Sequence, residues 1–130
     1  MKLTHKEFFE RYLYAGAISR NADAVAAMFT DDGVYEAPLV PEGHAMPQRL
    51  VGHDAIRDGI AAFHQSGDHS TVIFAESGYE LHETADPDVF VTEIDTVLED
   101  AEGRRTTMSL VQIFRLREGK IARLRDYFAG

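Results

Sequence analysis

At 130 residues and 14.5 kDa, the chain has the length of one ordinary domain, enough to bury a core and too short for two. Thirteen Lys and Arg against 22 Asp and Glu leave a net charge of −9, which repels polyphosphate and offers no basic stripe for nucleic acid or anionic lipid. No apolar run approaches the roughly 20 residues that cross a bilayer, and the absence of cysteine excludes disulfides, a thiolate nucleophile and Cys-ligated zinc. The polar start Met1-Lys2-Leu3-Thr4 lacks the apolar segment of a signal peptide. The expectation is a soluble, cytoplasmic domain over residues 1–130, with no nucleic-acid or membrane partner.

Thr4 followed by Glu7 has the form of a capping box, and Phe8, Tyr12 and Ala15 continue as a helical stripe to about Ser19. Asn21 can cap a second, short helix through Phe29, which the Asp31-Asp32-Gly33 turn ends. A brief strand is expected at Val34, Tyr35 and Glu36. From Pro38 to Gly52, three prolines and two glycines favour an irregular loop that could cover a site. Ile56, Ile60 and Phe63 then place one apolar stripe on a third helix, ended by Ser66-Gly67.

Beyond Thr71 the periodicity changes to two. Strand-forming runs cover 71–75, 79–84, 89–98, 106–116 and 121–128, and tight-turn signals at Asp86-Pro87-Asp88, Ala101-Glu102-Gly103 and Arg117-Glu118-Gly119-Lys120 separate the last ones. Helices first and long strands afterwards give an α+β fold with helices on one face of a meander that must curl around them.

Strand alternation puts Ala122, Leu124, Asp126 and Phe128 on one face of the last run and the charged Arg123 and Arg125 on the other. A carboxylate among apolar side chains is costly to ionise, so the pKa of Asp126 is expected to rise toward a range useful for moving protons. Glu93 and Asp95 share one face of the 89–98 run, roughly 7 Å apart, where each could raise the other if that face is the inner one. If Phe90, Ile94 and Leu98 form the core instead, the two acids belong to the wet face. Tyr12, Tyr35, Glu36 and Gln112 are candidate polar groups for a pocket lined by Phe63, Met108, Leu110 and Phe114, with Phe128 beside Asp126. The six histidines contain no His-x-His pair and no His-Glu-x-x-His helix, so no metal site is expected. His44 sits in the proline-rich loop, and phosphate-binding glycine loops and nucleophile elbows are absent.

Arg11-Tyr12, Ala27-Met28-Phe29-Thr30-Asp31-Asp32-Gly33 and Leu50-Val51-Gly52, in this order, resemble the SnoaL-like branch of the nuclear-transport-factor-2-like superfamily over nearly the whole chain. Leu116 to Phe128, LREGKIARLRDYF, is similar to the last strand of limonene epoxide hydrolases, and Glu83 to Asp95, ETADPDVFVTEID, to a segment of phenazine-biosynthesis proteins. The resemblance implies a cone-shaped α+β barrel, three N-terminal helices packed on a strongly curved antiparallel sheet. It places Asp126 where such hydrolases carry the water-activating carboxylate and Asp95 at their second aspartate. Glu93 stands at the position of a bridging arginine and Glu36 at that of a water-holding asparagine. Of the ketosteroid isomerase pattern, Tyr12 matches the oxyanion donor, while Ala37 and Gln112 replace its two acids.

The functional expectation is a cofactor-free acid-base enzyme on a small apolar metabolite: an isomerase, polyketide cyclase, dehydratase or epoxide hydrolase-like protein. In it Asp126 is the principal acid or base, Asp95 and Glu93 share its proton, and Tyr12 is an oxyanion donor. Tyr35, Glu36, Phe63, Met108, Leu110, Gln112 and Phe128 are expected to contact substrate. The alternative is a non-catalytic protein of the same fold that binds a hydrophobic ligand or serves as an accessory protein. Apolar residues on both faces of 106–116 further imply a homodimer through the outer sheet face.

Overall fold

The computed structural model describes residues 3–66 and 70–128. Helix α1 (His5–Leu13) starts at the expected capping box: the Thr4 side chain accepts from the Glu7 amide, and Glu7 accepts from the Thr4 amide. It runs into a π-helical turn over Tyr14–Ile18. Asn21 caps α2 (Ala22–Ala27). Strand β1 (Phe29–Glu36) begins directly after Met28, earlier than the sequence implies, and Asp31-Asp32-Gly33 sits inside it rather than ending the helix. The strand is irregular there, its register shifting between Phe29 and Val34. A Cβ at Gly33 would lie 3.0 Å from the Thr30 carbonyl oxygen and 3.1 Å from that of Ile121, so glycine permits this close approach of two backbones.

The proline-rich stretch is irregular until β2 (Arg49–Val51), a short partner of β1, and α3 (His53–Ser66) follows. Gly67, expected to end α3, lies outside the described residues. Next come β3 (Thr71–Val72), a 3-10 turn at Phe74–Glu76, and β4 (Gly78–Glu83). Strands β5 (Val89–Glu99), β6 (Arg105–Arg117) and β7 (Lys120–Tyr127) form the expected antiparallel meander. The β6–β7 hairpin turns on Glu118 and Gly119, both at positive φ (52° and 78°), the backbone that twisted two-residue hairpins require.

The strands form one curved, open sheet in the order β2-β1-β7-β6-β5-β3, with β4 paired to β5. It is mixed, because β1 runs parallel to β7 while the other pairs are antiparallel. The helices cover one face, and the core lies between. Phe114 is at its centre: it stacks on Phe90 at 4.7 Å and takes the rings of Phe8, Phe9 and Tyr12 edge-on. These aromatic contacts tie α1 to β5 and β6. Among the described residues no helix is long and apolar enough to cross a membrane.

Because Phe114 is fully buried among four aromatic rings, Phe114→Ala is expected to cost about 3–5 kcal/mol in urea-unfolding experiments. A loss below about 1 kcal/mol would show that α1 is not anchored in this way.

Candidate functional site

Three adjacent strands place one residue each in a single cross-strand row on the helix-covered face. Thr92 on β5 pairs with Gln112 on β6, and Gln112 pairs with Asp126 on β7. All three are buried. The row is polar within an apolar face: Phe90, Phe114 and Leu124 form the neighbouring row on one side, and Ile94 and Leu110 continue the face on the other.

Asp126 is its chemical centre. Only 7% of the residue is exposed, and burial raises its carboxyl to about 6, opposed in part by the Tyr35 hydroxyl and the Gln112 side-chain amide. Tyr35, delivered by β1, donates to Asp126 Oδ2 at 2.6 Å. The parallel β1–β7 pairing produces this contact by setting Tyr35 opposite Leu124, beside Asp126. Burial and then the Asp126 charge hold the Tyr35 phenol well above its ordinary pKa. Tyr12, from the inner stripe of α1, is raised by the same two causes and so lies near enough to sense that carboxylate. Among the described residues its hydroxyl has no hydrogen-bond partner.

The loop between β1 and β2 closes one side. Ala37, Val40 and Met46 are buried, and the His44 ring lies 6.4 Å from Phe63 and 6.2 Å from Phe128. The Met46 amide donates to His44 Nδ1 at 3.0 Å, so neutral His44 carries its proton on Nε2. Of the residues expected in the pocket, Asp126, Tyr12, Tyr35, Gln112, Leu110, Phe63 and Phe128 lie on this side of the sheet. Met108 has the inward parity but is exposed.

Three candidates do not belong there. Phe90, Thr92 and Ile94 take the inner face of β5, so Glu93 and Asp95 project from the outer face and are exposed. Glu93 bonds His82 at 2.8 Å, and Asp95 accepts from Ser109 at 2.6 Å. Neither can share a proton with Asp126. Alternation in β1 likewise turns Glu36 outward once Tyr35 and Ala37 are inside. There Arg123 (2.7 Å), Arg125 (3.4 Å) and Arg49 (3.5 Å) surround it and, Arg123 foremost, lower its pKa. It serves as an ion-pair hub rather than a substrate contact.

Thr92 is the residue that sequence reasoning missed; a threonine in a strand signals little until its opposite neighbours are known. Glu80, His82 and Glu93 on the outer face bring ligand atoms within 4.8 Å of one another. Motif spacing cannot show this trio because it spans two paired strands.

Structural comparison places this arrangement among known folds. A Bacillus subtilis protein proposed as an isomerase is similar with a TM-score of 0.74 and 23% identity, covering 95% of this chain and 84% of its own. A phenazine biosynthesis-related protein from Pseudomonas aeruginosa gives 0.69 and 20%, covering 94% and 77%. An LEH-like epoxide hydrolase from M. tuberculosis gives 0.58 and 25%, covering 93% and 79%. No curated protein sequence matches the chain. A family model for the SnoaL-like domain matches residues 9–124, which is most of the chain and leaves out only its two ends, the first turn of α1 and Asp126 at the end of β7 among them, so the chain belongs to the SnoaL-like domain family.

Proposed function

We propose that this protein is an enzyme that uses Asp126 for cofactor-free acid-base catalysis on a small, largely apolar organic molecule in the cytoplasm. The reaction class is isomerisation, cyclisation, dehydration or water addition. The observation that carries this reading is a single carboxyl, buried among apolar residues, raised to about 6 and held at 2.6 Å by a tyrosine hydroxyl. Such a group exchanges protons readily near neutral pH. Tyr35 orients it, and the unpaired Tyr12 hydroxyl can donate to a substrate oxygen on which negative charge develops. A second reading, a non-catalytic pocket that holds a hydrophobic ligand, is favoured by the outward placement of Glu93 and Asp95, which leaves Asp126 without an acidic partner inside.

Asp126→Asn separates the two. For the enzyme, turnover falls by more than about tenfold while ligand affinity persists. Unchanged turnover removes Asp126 from the chemistry. In the wild type, if Asp126 acts as base, kcat/KM is expected to rise with pH through about 6 and then level off.

The same variant has a stability signature. The folded-state pKa lies above the unfolded value near 3.9, so the unfolded chain releases its proton first. Stability is therefore lost as pH rises from about 4 to 6, and the deficit is full above that. At about 1.4 kcal/mol per pH unit, Asp126→Asn is expected to stabilise the protein at pH 8 by up to about 3 kcal/mol and to leave it unchanged at pH 4. Equal shifts in thermal midpoint at both pH values would contradict a strained carboxylate.

A homodimer through the outer sheet face belongs to this reading. Val91, Val111 and Ile113 are half-buried there, with Glu80, Glu93 and Asp95 toward one end and Arg115, Arg123 and Arg125 toward the other. A two-fold axis through the valines would set the acidic end of one copy on the basic end of the other. Sedimentation as a monomer at micromolar concentration would contradict it.

A further inference from the structure

The concave face holds more unpaired hydrogen-bonding groups than its protein neighbours satisfy, and their chemistry specifies a ligand. Asp126 Oδ1, Gln112 Oε1 and Thr92 Oγ1 are fully buried without a partner among the described residues. They belong to consecutive members of one cross-strand row. The Tyr12 hydroxyl, on a residue 8% exposed, is not among these fully buried atoms but likewise has no hydrogen-bond partner among the described residues. Buried polar atoms are ordinarily paired, and each orphan carries a desolvation cost that a complementary ligand group removes.

Donors and acceptors can be assigned. Asp126 Oδ2 is occupied by Tyr35. The Gln112 amide nitrogen faces Asp126, since a carboxylate beside it requires a donor, and this leaves Oε1 free as an acceptor. Ionised Asp126 Oδ1 accepts only. The Tyr12 phenol, kept protonated by its surroundings, donates, and Thr92 can do either. Two free acceptors therefore lie beside one free donor and one adaptable hydroxyl.

Resting on the reading of this face as a ligand pocket, we infer that the ligand is an uncharged hydroxy- or amino-carbonyl compound: its hydroxyl donates to one of the two acceptors Asp126 Oδ1 and Gln112 Oε1, or its amino group to both, and its carbonyl-type oxygen accepts from Tyr12. A pure hydrocarbon leaves all four groups unpaired, and a carboxylate or phosphate ester meets the Asp126 charge with no buried cation among the described residues to offset it. The apolar remainder of the molecule packs toward Leu110, Phe128 and Phe63.

The test is calorimetric titration at pH 8 with four bicyclic probes: 2-hydroxy-1-tetralone, 2-methoxy-1-tetralone, tetralin and 2-naphthoate. The hydroxy ketone is expected to bind about tenfold or more tighter than its methyl ether, with tetralin and naphthoate weaker still. In Gln112→Leu and, separately, Thr92→Val the preference should shrink to about threefold or less, with thermal midpoints confirming that each variant is folded. Equal binding of ketone and ether, tighter binding of naphthoate, no binding of the hydroxy ketone at millimolar concentration, or an undiminished preference in both folded variants overturns the inference. Loss of turnover in Asp126→Asn together with equal binding of ketone and ether would leave the acid-base reading standing and this one refuted. Intact turnover in that variant beside a strong hydroxyl preference would do the reverse.

Discussion

A sheet with helices on one face sorts its residues by parity, and the chemistry of this protein follows from a carboxylate lying on the covered side. Asp126 shares its inward direction with Leu124 and Phe128, both buried. Removing that oxygen pair from water is costly, and the fold compensates only in part, with one tyrosine hydroxyl and one amide. A fully paired carboxylate would have been inert; a solvated one would have an ordinary pKa. Incomplete compensation leaves the group ready to exchange a proton, at the expense of stability above pH 6.

The same parity rule explains what the sequence could and could not reveal. Capping at Thr4 and Asn21, the apolar stripe of α3 and the turn at Glu118-Gly119 are local signals, and each cap, stripe and turn lies where its residues indicate, although α2 ends before Phe29. The inner place of Asp126 was legible because its strand alternates apolar against charged. For β5 the alternation is ambiguous: Phe90, Ile94 and Leu98 oppose Val89, Val91 and Val97, so only the packing of α1 on Phe90 decides which face is inner. The outward turn of Glu93 and Asp95 follows from that contact. Glu36 depended on its neighbours in β1, where Tyr35 and Ala37 claimed the interior. Parallel pairing of β1 with β7 joins two segments far apart in the chain, and no local pattern announces it.

Charge is distributed as the parity rule requires. With Asp126 and Gln112 inside, the ionic groups of β5, β6 and β7 stand on the outer face, where Glu36 gathers three guanidinium groups and Glu93 pairs with His82. A chain of net charge −9 thereby keeps a basic area and an acidic area on one surface. The inner and outer faces carry separate sets of side chains, because alternate residues of a strand point to opposite sides. Chemistry on the concave side can diverge while the fold is retained.

The hydrogen bond between Tyr35 and Asp126 spans 91 positions, and the pairing that creates it must wait until β7 has docked against β1. Contacts of such long range are entropically expensive to close, so chains dominated by them fold slowly. Until that closure, the rings of α1 and the greasy row beneath them lack their final cover. An intermediate that has completed only the β4 to β6 meander would present this surface to chaperones, or to other copies of itself.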